Sequence, residues 1–549
     1  MKYHGIILGG MLEREDTSET RNYLSTQDED EKPDYWPGIK RSAGAHRIAT
    51  FLREHNWDIE VLDFWPTWTR DELEQFFESR VTPETKWVGL SAMFPLGGAG
   101  QKNQDKFREL QENIHYLKAK YPDLVWVGGA QNLSAILGYP LDYYFSGFAE
   151  YGILEFLKWI TGQENNIIIH TKNYWGADRK VVECRTDYPA WPMSDAHVYY
   201  EERDFLRSDE VVTVELGRGC KFNCKFCSFT VKNAKGDLSR CAESLYNELR
   251  TNYVKWGIQH YTVGDETIND NNQKLAKCAD VVKRIKEEFP EYEIQLGGYA
   301  RADLLIANKQ SWQDIWDMGL WSMFYGIESL NHKAAKFVGK GMSPERMKDG
   351  LLEVQDWFKA KGKFRATLSM IIGLPHETRE TFLEARDWIF ENMPGHAYGF
   401  IPLMIADGEM FRLATNPSVF DRTVWDEGSP FQRATFDEMG VDFEQIRPEL
   451  RQIAQFYMNS QGVANWKHST MNVWEAWKVF DEMAGDPVLP NKLAPGVFFY
   501  HRYLTGGRYT IEDMTKTFAE IEPLGRKQID LHMQIINEYK YKKINWEQK

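Results

Sequence analysis

Long apolar runs are missing from this chain. No stretch approaches the ~20 apolar residues of a membrane span, and the opening MKYHGIILGG has no basic segment, long apolar core or small-residue cleavage site of a secretory signal. The expectation is a cytoplasmic protein with no membrane partner. Cysteine is scarce as well, six in 549 residues, which excludes a disulfide-stapled scaffold. Nor is there a surplus of positive charge: 66 Lys and Arg stand against 81 Asp and Glu, a formal charge of −15. The overall field therefore repels nucleic acid and acidic membranes, and nucleic acid is not expected as a partner. What is present is a 42% apolar content, enough to bury cores, in a chain too long for a single one, so two or three domains are expected.

Residues 1–165 alternate short apolar strands with amphipathic helices. YHGIILGG, IEVLDF, WVGLSAM, LVWVGG and DYYFSG give five candidate strands, the signature of a doubly wound parallel α/β sheet. An acidic insertion, MLEREDTSETRNYLSTQDEDEKPDYWPG, follows the first strand and reads as a long surface loop over the carboxyl edge of the sheet. Residues 166–210 read as a connector, with a hairpin across NIIIHTKNYWGADRKVVECR and then the proline-broken DYPAWPM. From VVTVEL a second βα series covers 211–412 in six units, which suggests a partial (β/α)6 barrel with its active site at the carboxyl ends of the strands. Residues 413–549 turn helical and aromatic. Aromatic stripes of that kind belong more often to a core than to a binding site, so Tyr398, Trp466, Trp474 and His46 are not assigned as ligands, and His46 is read as a helix-surface residue.

Three of the six cysteines fall within eight positions. ELGRGCKFNCKFCSF places Cys220, Cys224 and Cys227 in CxxxCxxC spacing directly after the first barrel strand. Soft thiolates select zinc or iron-sulfur clusters, and ligand number separates the two. A structural zinc site takes four protein ligands, and neither a histidine nor a fourth cysteine stands nearby. A cubane on three cysteines leaves one iron open, which is what a chelating cofactor requires. Zinc or an inert cluster is the alternative. Cys184, Cys241 and Cys278 have no partner spacing and read as ordinary thiols.

This segment, including the aromatic Phe226 before the third cysteine, resembles the defining motif of the radical S-adenosylmethionine (SAM) superfamily. The resemblance continues along 211–412, strand end by strand end. Gly264-Asp265-Glu266 stands where the family has the glycine and acidic groups that hold the SAM amine, and a carboxylate suits that position. A helix N-cap at Asp265 or Thr267 is the plain alternative. Arg301, in YARADLL, and Glu328-Ser329, in YGIES, stand where similar enzymes contact the SAM carboxylate and ribose, although a lone arginine is more often a solvated surface group. MIIGLPHET resembles the family's GxIxGLPxET segment, with Ile371, Gly373 and Glu377 in the matching places, where the strand backbone flanks adenine. The resemblance also implies that the backbone at Phe226 helps hold adenine.

The first 165 residues resemble the flavodoxin-like, cobalamin-binding domain found ahead of many radical SAM enzymes. GIKRSAGAHRIATFLREHNWDIEVLDF, WVGLSAM, VWVGGAQN and DYYFSGFAEYGILEFL follow its order, and Gly147-Phe148-Ala149-Glu150 stands at its glutamate-rich turn. The DxHxxG motif that ligates cobalt in methionine-synthase-type domains is missing. A vestigial or substrate-binding sheet is therefore the alternative to cobalamin. No cysteine precedes Cys184, which argues against the methylthiotransferase branch and its second cluster.

The resemblance implies an enzyme that cleaves SAM reductively at a 4Fe-4S cluster, abstracts hydrogen with a 5'-deoxyadenosyl radical and, with cobalamin, methylates an unactivated carbon of a small molecule or peptide. A flavodoxin or ferredoxin would donate the electron. Non-methylating oxidation, cyclisation or rearrangement is the runner-up, and a non-catalytic binding protein keeping the fold the third reading.

Overall fold

The computed structural model describes residues 3–10, 41–91, 101–164 (without 131, 132, 134 and 135), 167–184 (without 175), 196–227 (without 209), 234–402 (without 363, 373, 375, 378 and 394–396) and 534–546. The acidic insertion, DYPAWPM and nearly all of 413–549, with Trp466 and Trp474, lie outside the described residues.

The amino-terminal half builds β1 (Gly5–Gly9), α1 (Ala43–Glu54), β2 (Ile59–Leu62), α2 (Arg70–Arg80), β3 (Trp87–Ser91), α3 (Gln101–Lys120), β4 (Val125–Ala130), β5 (Tyr143–Ser146) and α4 (Glu150–Ile160). Local chemistry sets the helix starts: Ser42 accepts the Ala45 N–H, and Thr69 and Glu72 form a capping box on α2. β1 and β2 are buried on both faces, as the apolar runs IILG and IEVL require of strands covered by helices. The hairpin β6 (Ile169–Tyr174) and β7 (Ala177–Glu183) is antiparallel within itself, and β7 pairs in parallel with β5. The expected connector thus begins as the edge of the first sheet, whose order is β2-β1-β3-β4-β5-β7-β6.

The second sheet is wholly parallel in sequential order, from β8 (Val211–Val214) through β9 (His260–Val263), β10 (Gln295–Ala300), β11 (Leu320–Glu328) and β12 (Arg365–Ile372) to β13 (Ala397–Pro402). The crossovers are α5 (Ala242–Trp256), α6 (Asn272–Glu288), α7 (Ala302–Ala307) with α8 (Trp312–Asp317), α9 (His332–Phe337) with α10 (Pro344–Lys361), and α11 (Arg379–Asn392). Alternation decides the faces: Tyr261, Val263, Leu296, Met323, Tyr325, Leu368 and Met370 pack with Leu249, Val281, Leu351 and Val354 of the crossover helices, turning the intervening residues to the concave side. This is the six-stranded partial barrel expected from the sequence.

Buried ion pairs join the two halves. The Arg41 guanidinium meets Glu210 (Nε–Oε2 2.5 Å) and Asp63 (Nη1–Oδ2 2.8 Å), and His46 Nε2 lies 2.8 Å from the same Asp63 oxygen. His46 is fully buried, so its reading as a helix-surface residue is corrected: the face of α1 that carries it turns inward against the 196–204 segment, with Tyr200 4.7 Å from its ring. A helix at 534–544 returns to the edge strand β2. The Tyr539 hydroxyl accepts the Asp63 N–H and donates to the Val61 carbonyl, and Lys543 pairs with Glu60 at 2.6 Å, both fully buried. Among the described residues no helix is long and apolar enough to cross a membrane.

Candidate functional site

The three cysteines lie on the loop that leaves the carboxyl end of β8, and three carboxylates, Asp265, Glu215 and Glu150, brace that loop. From inside the barrel, Asp265 Oδ1 accepts the Leu216 and Gly217 N–H groups at 2.8 and 3.1 Å, while Oδ2 pairs with Lys274 at 3.0 Å. Asp265 is thus a backbone clamp on the cysteine loop. From the other side, Arg218 donates to both oxygens of Glu215 and pairs through Nη1 with Glu150 at 2.7 Å. Gly219 takes φ +87°, in the left-handed region that glycine tolerates, and turns the chain into Cys220. Cys220 Sγ is 3.8 Å from Thr267 Oγ1, the Cys227 N–H bonds the Cys224 carbonyl at 3.1 Å, and the Lys225 N–H bonds the Val338 carbonyl.

All three cysteines are partly exposed, and burial pushes the Cys220 thiol up. Among the described residues no three His, Cys, Asp or Glu side chains converge as the ligands of one metal ion do. Three partly exposed thiols carried on one braced loop are the donor set that a cubane with one open iron takes from a protein.

The other residues expected at the site gather around this loop. Gly264 is exposed at the end of β9, and burial pushes the half-buried Glu266 carboxyl up to about 8. Arg301, directly after β10, points Nη1 at Cys224 Sγ, 3.4 Å away, and gives Nε and Nη2 to Asp303. Glu328 ends β11 at φ +67°, where the β11–β12 register slips between Gly326 and Glu328. Its carboxylate pairs with Lys340 at 2.9 Å, and the Lys340 ammonium also donates to the Gly326 carbonyl. Ser329 Oγ donates to Glu377 Oε1 at 2.5 Å. Phe226 and Ile371 share one small apolar cluster with Val338 and Leu374. Gly373 lies outside the described residues.

Lys274, Asp303, Lys340 and Arg218 were missed in the sequence. Each is a charged residue whose partner becomes evident only when strand ends converge. The GKG triplet around Lys340 and the Arg-Gly-Cys entry to the motif are the only local signals for two of them.

The first sheet meets the cysteine loop at GFAE, the turn after β5. Arg218 lies over the Phe148 ring at 5.0 Å, and Glu150, 2% exposed, also pairs with Arg47. Burial opposes the Glu150 charge, but the two arginines hold its carboxyl below the usual range. The switch point of this sheet, where strand order reverses between β1 and β3, is lined by small residues. Ser42 Oγ and Ser91 Oγ are 3.0 Å apart, and a Cβ on the exposed Gly44 would come within 3.2 Å of Ser91 Oγ. In open α/β sheets the switch point is where ligands bind.

Comparison with known families matches residues 214–389 to the radical SAM superfamily. This part of the chain is a radical SAM domain. The match begins at the last residue of β8 and covers the cysteine loop and the strand ends of the second sheet from β8 to β12, through Glu377. Radical SAM domains work with a 4Fe-4S cluster and SAM. An uncharacterized methyltransferase of Pyrococcus horikoshii is 30% identical over 169 residues, 30% of this chain and 34% of the relative. The matched regions span 34–42% of the length of the curated relatives. Among solved structures, the radical SAM methyltransferase TsrM of Kitasatospora setae, with tryptophan and a SAM analogue bound, aligns at TM-score 0.52 and 16% identity, over 72% of each chain. The cobalamin-dependent radical SAM enzyme OxsB, with aqua-cobalamin and SAM bound, aligns at TM-score 0.50 and 14% identity, over 100% of this chain and 85% of that one. At such identity the likeness is one of fold, a sheet domain ahead of a radical SAM barrel.

Proposed function

We propose that the protein is a cytoplasmic radical SAM enzyme that uses a cluster on Cys220, Cys224 and Cys227 for cobalamin-dependent methyl transfer to an unactivated carbon of a small molecule or peptide. A flavodoxin or ferredoxin supplies the electron. The observation that carries the reading is the meeting of two carboxyl edges at Glu150–Arg218: the first sheet's β5 end abuts the cysteine loop at the β8 end. A cofactor seated on the first sheet would therefore face the radical SAM site.

When bound, the cluster and SAM supply a 5'-deoxyadenosyl radical and cobalamin supplies a methyl group. The chain's own residues place these groups. Asp265 fixes the entry of the cysteine loop through two backbone N–H groups. Gly264 leaves the β9 end uncovered, and Glu266 beside it accepts the SAM amine. Glu328 and Ser329, oriented by Lys340 and Glu377, meet the polar end of SAM, and Phe226 with the Ile371–Gly373 strand flanks adenine. Gly44, Ser42 and Ser91 at the switch point are the residues that would admit the nucleotide tail of the corrin.

Anaerobic reconstitution with iron, sulfide and hydroxocobalamin, followed by gel filtration, tests the reading. Retained corrin that a Ser91→Trp substitution displaces, with the cluster left intact, supports it. A cluster that yields deoxyadenosine while no corrin is retained would replace methyl transfer by oxidation, cyclisation or rearrangement.

A further inference from the structure

Arg301 was expected to reach the carboxylate of SAM, yet its surroundings turn it toward the cysteine loop. Its backbone is pinned on both sides by one buried side chain: Asn269 Oδ1 accepts the Arg301 N–H and Asn269 Nδ2 donates to the Arg301 carbonyl, each at 2.9 Å. The guanidinium is held just as firmly. Nε and Nη2 bond the two oxygens of Asp303 at 3.0 and 2.6 Å, a forked pairing that fixes the plane of the group. That plane lies over Phe222, a residue of the cysteine loop itself, 4.0 Å from the ring centroid, and the remaining nitrogen points at Cys224 Sγ. The residue is 7% exposed, so water screens this charge poorly. Burial opposes the charge and Asp303 restores it, so the cation stays.

A fixed cation with an N–H donor on a cluster thiolate acts on redox chemistry. One-electron reduction adds a negative charge to the cluster, and a neighbouring positive charge lowers the cost of adding it. Asp303, behind the guanidinium, offsets part of that effect. We propose that Arg301 is a positioning residue for electron transfer: through Cys224 it raises the reduction potential of the cluster, and Asp303 both aims it and limits the rise. This inference rests on the radical SAM reading of the cysteine loop.

The test is a potentiometric titration of the reconstituted full-length protein with dithionite as the one-electron donor. The reduced cluster is followed by electron paramagnetic resonance without SAM, and SAM binding is measured separately. Arg301→Gln is expected to disfavour reduction about tenfold, roughly 59 mV more negative for a one-electron couple. Arg301→Lys, which keeps the charge, is expected to recover most of the loss. Asp303→Asn is expected to move the potential the opposite way, a reversal that a purely structural role does not produce. If Arg301→Gln does not fold, the sign of the Asp303→Asn shift decides alone. An unchanged SAM-free potential together with lost SAM binding would return Arg301 to the SAM carboxylate and overturn the proposal. Shifts of the same sign in both variants would overturn it too. A wild-type protein that takes up no cluster would refute the radical SAM reading itself, a result distinct from either.

Discussion

Glu150 is the residue whose loss should be felt most sharply at the junction of the two halves. Its carboxylate is shared between Arg218 Nη1 at 2.7 Å and Arg47 Nε at 3.3 Å, with all three side chains at most 5% exposed. Arg218 keeps its forked pairing with Glu215 when Glu150 is neutralised. Arg47 keeps the His197 carbonyl and the face of the Phe51 ring but no directly paired carboxylate, and burial already holds its guanidinium below the usual range. Breaking a buried pair from one side costs about 3–5 kcal/mol because a desolvated charge is left behind. Glutamine retains an acceptor, so Glu150→Gln belongs at about 3 kcal/mol and Glu150→Ala nearer 5. Equilibrium urea unfolding followed by tryptophan fluorescence reads the difference. Arg47→Met removes the orphaned charge, so the double variant should cost about 1–3 kcal/mol less than the sum of the singles. A loss below about 1 kcal/mol for Glu150→Gln, or strict additivity, would refute the reasoning.

Glu266 gives the pH dependence. Its carboxyl titrates near 4.5 in the unfolded chain and at about 8 in the fold. Its contribution is therefore complete below about 4.5 and lost as pH rises through about 8, by at most about 1.4 kcal/mol per pH unit. Melting temperatures across that window should fall less steeply in Glu266→Gln. Lys340→Met should cost about 3–5 kcal/mol, since it strands Glu328, whose side chain is 9% exposed, and Glu328→Gln in the same chain should return part of it in thermal unfolding. Gly319→Ala meets two obstacles, φ +84° and a Cβ 2.5 Å from the Ile294 carbonyl oxygen, and should cost about 1–3 kcal/mol by the same measurement.

Most of the fold was legible because parallel sheets are buried on both faces and write themselves as apolar runs such as GIILG and HYTV, separated by helical periodicity. The cysteine loop was legible because its three ligands are close in sequence. The strand-end order located Asp265, Arg301 and Glu328 but not what they touch. Asp265 clamps backbone, Arg301 turns to Cys224, and Glu328 is paired with Lys340 twelve residues on. Those choices depend on which side chains converge after the sheet forms. The hairpin at 169–183 was seen as a hairpin, but nothing local says that β7 joins β5. His46 was misread because a periodic helix shows which residues share a face, and not that the connector covers a second one.

The central claim is tested most directly by reconstituting the protein anaerobically with iron and sulfide, reducing it with dithionite in the presence of SAM, and quantifying 5'-deoxyadenosine. The account predicts a broad iron-sulfur absorption, about four irons per chain by the cubane stoichiometry, and deoxyadenosine that disappears in Cys224→Ser. A protein that loads a single zinc ion, or one that holds the cluster and forms no deoxyadenosine, would contradict it.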